Sequence, residues 1–231
     1  MIRSYARSSV GLLLFDLGAF LDKTKSPDGK GFKLKLHEKN PNAPLSPFYL
    51  NFRTPDNPKP GPLTPVIIKG IGRELYEESI VDRIEYDCLA GVPRAGDPLT
   101  RAFSEFFFSK RNYAIPVLKL EKHESERKRR IAGLIEGEYK HGELVLLIDD
   151  LITNAGSKLE AIDVLENAGL IVSDVLVLID CMQGGRQQLQ EKGYQLHTIF
   201  TIYELLDLYL EANKIDHDLH QEIFDYLALN K

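Results

Sequence analysis

Cysteine is scarce: the 231 residues contain two, Cys88 and Cys181. Two thiols do not make a disulfide framework in a chain of this length. Neither has a second Cys or a His at metal-ligand spacing, which argues against a structural zinc site. A reducing cytoplasm is the expected compartment. No apolar run approaches the roughly 20 residues needed to cross a bilayer, so no membrane association is expected. The segment Met1–Arg7 has two arginines but no apolar core and no clear cleavage site, so no signal peptide is expected. Basic charge is not in excess either. The 29 Lys and Arg are outnumbered by 34 Asp and Glu, for a net charge of −5, which argues against a dedicated nucleic-acid binder. Internal repeats and low-complexity tracts are missing. The remaining composition, 43 % hydrophobic and 27 % charged, is that of an ordinary globular chain with enough apolar residues for a core.

Proline is unevenly placed. Nine of the 12 prolines fall between residues 23 and 65, interrupted by two short apolar patches, Phe32–Leu36 and Phe48–Phe52. That density predicts loops and edge strands, with a short strand at the alternating first patch. Ahead of it, Val10, Leu13, Leu14, Leu17 and Leu21 predict a helix over Ser8–Asp22, with Ser8 or Ser9 as its N-cap. A helix is also predicted over Thr64–Glu78. From there strands and helices alternate: strands at Tyr86–Ala90, Ala114–Leu120, Leu144–Ile148, Asp174–Ile179 and Leu196–Thr201, helices at Leu99–Phe107, Ser157–Ala168 and Gln187–Lys192, then a helical tail. Gly169 is expected as the residue that ends the Ser157–Ala168 helix. Unbroken apolar strands alternating with amphipathic helices predict an α/β fold, a doubly wound and mainly parallel sheet with an irregular N-terminal cap or hood. The expected divisions are a cap at 1–65, a core at 66–210 and a tail at 211–231.

In such sheets ligands sit beyond the carboxyl ends of the strands. The loops after Ala90, Ile148 and Ile179 therefore become candidates, and all three are rich in Gly or Asp. The second is the most informative. After the apolar Leu144–Ile148 come Asp149 and Asp150, then Thr153, Asn154, Ala155, Gly156 and Ser157, opening a helix. A small-residue turn at a helix N-terminus presents backbone N–H groups and hydroxyls, and the helix dipole favours an anion there. The acids suit sugar hydroxyls or a divalent cation instead. Together they specify a ribose phosphate better than a bare anion. The alternative is a plain turn capped by Thr153. The Walker pattern is missing, which weakens any ATPase reading.

The string hydrophobic-Asp-Asp-x-x-Thr-x-x-Gly-Ser resembles the phosphoribosyl diphosphate (PRPP) signature of type I phosphoribosyltransferases. Further segments, in the same order along the chain, resemble the orotate phosphoribosyltransferase family: Phe32–Lys35, Ser46–Asn51, Gly91–Pro98, Ile135–Gly137 and Leu196–Thr201. The resemblance covers about residues 10–210. It implies a reaction in which a nucleobase, orotate foremost, displaces diphosphate from PRPP with Mg²⁺ assisting. It also implies a homodimer, and these residue roles: Asp149 and Asp150 at the ribose hydroxyls and Mg²⁺, with Asp150 also catalytic; Thr153–Ser157 at the 5-phosphate; Val92, Pro93, Arg94, Ala95 and Gly96 at the diphosphate; Lys35 near base or diphosphate; Phe48, Tyr49 and Thr153 at the base. Core packing is the alternative for Phe48 and Tyr49, and a solvated strand position for Lys35.

Two segments depart from that pattern. The family's mobile loop carries catalytic cations in a fixed register. Here the region Lys119–Arg130 holds Lys119, Lys122, Arg127 and Lys128 out of that register. It is expected either to close over an anionic substrate or to remain a solvated charge cluster. His123 reads as a surface residue. The second departure is Cys181, which stands at a base-contacting position where the family has an Arg facing the orotate carboxylate. Losing that partner puts base choice in question and leaves open a transferase for another base or a non-catalytic PRPP-binding regulator. Arg186 and Arg94 are the candidates to replace the missing cation.

Overall fold

A computed structural model describes residues 2–34, 37, 40–125 and 128–229. It divides into two compact units, Ile68–Ile202 and the combination of Met1–Ile67 with Tyr203–Lys231.

The Ile68–Ile202 unit is built on a six-stranded sheet. Its strands are β3 (Cys88–Gly91), β4 (Val117–Ser125), β5 (Lys128–Glu136), β6 (Val145–Ile152), β7 (Asp174–Asp180) and β8 (Gln195–Thr201), in spatial order β5-β4-β3-β6-β7-β8. Every pairing is parallel except β4 with β5. Four helices accompany it: most of α2 (Pro65–Val81), then α3 (Gly96–Arg111), α4 (Gly156–Asn167) and α5 (Gly185–Gln190). The reason is in the strands' composition. β6 and β7 are apolar on consecutive positions, and Val145–Ile148 and Val175–Ile179 are all buried, as a sheet covered on both faces requires. Alternate residues serve opposite faces. Cys88, Ala90, Val145 and Leu147 join Ala161, Ile162 and Leu165 of α4 in one cluster, while α3 packs on β3 and β6. Truncating Leu147 to Ala would cost about 2–5 kcal/mol through lost burial and the cavity left behind.

The chain leaves β3 through α3 to reach β4 on one side, and leaves β6 through α4 to reach β7 on the other. The winding therefore reverses between β3 and β6, and the carboxyl ends of these two strands flank the switch point.

The second unit holds α1 (Ile2–Asp16), a short antiparallel pair of β1 (Phe20–Asp22) with β2 (Phe48–Leu50), nearly all of α6 (Ile202–Glu211), and α7 (His217–Leu229). Phe20 stacks on Phe48 at 5.9 Å and meets Tyr209 edge-on at 5.2 Å. Lys23 pairs with Glu222 at 2.7 Å. The tail, expected as a division of its own, thus packs with the N-terminal residues.

Several boundaries differ from the expectation. α1 begins at Ile2, so Ser8 and Ser9 lie inside it. Of the predicted strand at Phe32–Leu36, residues 32–34 are described and hold a single bridge, Phe32 to Ser46, while residues 35 and 36 lie outside the described residues. α5 starts at Gly185. The charged segment expected as a mobile loop is mostly paired strand, with Lys119 opposite Glu136 and Lys122 opposite Ile131. Gly169 does follow α4 with φ +85°.

Candidate active site at the switch point

The loop after β3 is held to strand β6 by one carbonyl. The N–H of Val92, just after β3, donates to the Ile148 carbonyl of β6 at 2.9 Å. Gly96 backs onto the same carbonyl so closely that a Cβ there would lie 2.4 Å from it, so only glycine fits. Inside the loop the Gly96 N–H returns to the Val92 carbonyl at 2.9 Å. The expected anion nest of Val92–Gly96 is therefore narrower than the sequence indicated. Pro93 has no N–H, and those of Val92 and Gly96 are spent on the backbone. Among the described residues, the Arg94 and Ala95 N–H groups have no partner, and the Arg94 side chain is exposed.

The phosphate turn follows β6, which runs to Ile152 and so contains both acids. The loop after β7 braces it. Cys181 N–H donates to the Ile152 carbonyl at 2.9 Å, Gly185 N–H to the Thr153 carbonyl at 3.1 Å, and Ala155 N–H to Gln188 Oε1 at 2.9 Å. Gly156 N–H donates to Asn154 Oδ1 at 3.2 Å. Two of the five expected phosphate donors are thus engaged within the protein. The N–H groups of Thr153, Asn154 and Ser157, and the hydroxyls of Thr153 and Ser157, have no partner among the described residues. The last of these N–H groups opens α4, where the helix's own geometry supplies none.

The two acids, expected to face the ligand together, point to different surroundings. Asp149 is buried. Its Oδ2 lies 2.7 Å from Lys158 Nζ, and its Oδ1 accepts the Asp150 N–H at 2.9 Å. Asp150 is partly buried and has no cationic partner among the described residues. Burial first, and then the charge of Asp149, raise its pKa. Asp97, in the first turn of α3, is pushed up to about 6 by burial and by Asp149, with partial relief from Lys119, Arg101 and Arg94.

Cys181 is buried, and desolvation followed by the Asp180 charge push its thiol up to about 12. It is no nucleophile, and it offers a substrate carboxylate no charge. Arg186 does not replace the missing cation, because its Nε donates to Asp180 Oδ2 at 2.9 Å and its Nη1 to the Leu196 carbonyl at 2.7 Å. Arg94 alone of the two candidates is exposed at the switch point. Lys119 is exposed on β4 and paired with Glu136 at 2.9 Å. Lys122 and Lys128 lie in β4 and β5, whereas Arg127 and Lys35 fall outside the described residues. Phe48 and Tyr49 belong to the other unit. Phe48 is a core ring, and Tyr49 Oη accepts from Arg53 at 2.7 Å.

Sequence reasoning missed Lys158, Gln188 and Asp97. A signal for the first was available: a Lys in the first turn of a helix opposes the dipole, so it calls for a nearby acid. Gln188 and Asp97 carried none.

No family model matches the chain. Among curated proteins it is 31 % identical to the orotate phosphoribosyltransferase of Saccharolobus solfataricus, over 80 % of this chain and 86 % of the relative. It is 30 % identical to the uridine 5'-monophosphate synthase of Bos taurus, over 72 % of this chain, and the match spans about a third (33 %) of that longer protein. Among solved structures, Leishmania donovani UMP synthase superposes with a TM-score of 0.72 at 26 % identity, over 96 % of this chain and 42 % of that one. The orotate phosphoribosyltransferase of Francisella tularensis gives 0.67 at 19 % identity, over 94 % and 93 % of the two chains, which speaks for the fold.

Proposed function

Because the chain belongs to the orotate phosphoribosyltransferase family, pentosyl-transferring enzymes of pyrimidine biosynthesis, we propose that its switch point binds PRPP and transfers the phosphoribosyl group to orotate. The observation that carries this reading is the two groups of free N–H donors, Arg94 and Ala95 after β3 and Thr153, Asn154 and Ser157 after β6, at the carboxyl ends of the two strands that flank the switch point. A substrate with a phosphate at one end and a diphosphate at the other suits that arrangement. Thr153, Asn154 and Ser157 would take the 5-phosphate, Asp150 the ribose hydroxyls, and Arg94 with the Ala95 N–H the diphosphate.

Catalysis in this reading is positioning and charge stabilisation. The base nitrogen forms a bond to C1 as the C1–oxygen bond breaks, and the electron pair leaves with diphosphate. The ring passes through an oxocarbenium-like state. Asp150, held beside the sugar, stabilises that positive charge. Mg²⁺, when bound, neutralises the leaving diphosphate. Asp150 would hold such a cation, directly or through water, once substrate and metal arrive together: burial and Asp149 raise its pKa, and a cation beside it favours the ionised form. Lys119 is the described cation of the β4–β5 pair that would reach toward the diphosphate. A cytoplasmic homodimer belongs to the same proposal, and light scattering on the purified protein checks the dimer.

The test is diphosphate release with PRPP, Mg²⁺ and a panel of bases. Release with orotate is expected. Release only with another base would replace orotate as the substrate. PRPP binding with no release from any base would overturn the enzymatic reading.

A further inference from the structure

Lys158 is buried in the first turn of α4. A cation there opposes the helix dipole and has lost its water. Two contacts account for its presence. Its Nζ lies 2.7 Å from Asp149 Oδ2, with both side chains about 5 % exposed (5 % and 6 %). It also donates to the Leu151 carbonyl. The other oxygen of Asp149 is occupied by the Asp150 N–H. One ammonium thus ties the helix that opens the phosphate turn to the strand that precedes it, and closes off the carboxylate that an incoming cation would otherwise find.

We infer that Lys158 is a resident counter-ion and positioning residue: it occupies the cation place at Asp149 and fixes the turn, so that a sugar phosphate is gripped without a metal ion. Divalent metal then serves only the diphosphate half of a substrate, through Asp150. This rests on the phosphate turn being the ribose 5-phosphate site. Removing the ammonium vacates the place. Asp149 then becomes a buried, uncompensated acid beside Asp150, and the pair acquires affinity for a divalent ion from outside.

Two measurements test this on the full chain, for the wild type and for Lys158→Met, Lys158→Arg and the double variant Lys158→Met/Asp149→Asn. The first is thermal melting without ligand. The wild-type midpoint is expected to be unmoved by millimolar Mg²⁺ at matched ionic strength. Lys158→Met is expected to melt lower and to be raised by Mg²⁺. The double variant is expected to recover stability and ignore the metal, and Lys158→Arg to keep most of the wild-type stability. The second is calorimetric titration with ribose 5-phosphate. Equal affinity in Mg²⁺ and in chelator is expected for the wild type, and a loss of about tenfold in chelator for Lys158→Met. A wild-type midpoint raised by Mg²⁺, or a double variant no more stable than Lys158→Met and equally indifferent to metal, would overturn the assignment. If Lys158→Met does not fold, the double variant decides: failure to fold there too would show that Lys158 acts by packing. Absence of ribose 5-phosphate binding in the wild type would count against the phosphate-turn reading, while the ligand-free melts still decide the counter-ion.

Discussion

The sheet of the Ile68–Ile202 unit carries a buried charge cluster at each end, and the two are built differently. At the amino-terminal end, Asp82 and Asp174 both contact one imidazole. His197 Nδ1 lies 2.7 Å from Asp82 and Nε2 2.7 Å from Asp174. At the carboxyl end, Lys158 contacts Asp149 alone, while Asp150 and Asp97 have no cation of their own among the described residues. The first cluster matches each acid by contact, as a structural clamp needs. The second leaves carboxylates unmatched, which raises their pKa and makes room for a partner from outside the chain. Excess charge marks the end proposed to bind, and its careful cancellation marks the end that braces.

Breaking the clamp should have the largest effect on folding. His197→Gln strands two partly buried acids, and a loss of about 2–3 kcal/mol in urea unfolding is expected, with turnover per folded molecule unchanged. Burial lowers the pKa of His197, but its hydrogen bonds to Asp174 and Asp82 outweigh this and raise it above 6.5. Its stabilisation is therefore fully present below about pH 6.5 and is lost as pH rises through the folded value. Unfolding of the variant should lack that fall on the alkaline side. At the other end, Asp150→Asn should weaken PRPP binding about a hundredfold by calorimetry while leaving stability unchanged or higher. A destabilised variant with normal affinity would make Asp150 a structural acid after all.

The smallest effect is expected at Asp97. An acid whose folded pKa, about 6, lies above its ordinary value of 3.8 lowers stability as pH rises through that window, and lowers it no further above. Asp97→Asn should therefore stabilise the protein by about 1–2 kcal/mol at pH 7, allowing for solvent screening, and by almost nothing at pH 4. Equal gains at both pH values would place the cause outside its charge.

The contrast between the two ends of the sheet was only half legible. Although the place where the winding reverses, between β3 and β6, depends on strand order, the alternation of apolar strands and helices and the turn at Thr153–Ser157 follow from short-range patterns that a sequence displays. The ion pairs do not, because they join residues whose spacing carries no period: Asp149 with Lys158, and Asp82 with His197 across 115 positions. The Lys119–Arg130 stretch misled for a related reason. Its charges read as a loop, either closing over an anionic substrate or solvated, yet antiparallel pairing sets opposite signs across two strands, as at Lys119 and Glu136. The donors of the Val92–Gly96 loop were overcounted, because a sequence does not reveal which N–H groups the chain spends on itself.

The Ile148 carbonyl sets a fixed gauge. With Val92 hydrogen-bonded to it and Gly96 pressed against it, the loop after β3 keeps a fixed place on β6 and need not be assembled when a molecule arrives. On the proposed reading, a compound with negative groups at both ends gains its second grip at little further ordering cost, whereas free phosphate obtains only one. Selection among anions would then be made by length, before any side chain reads the base.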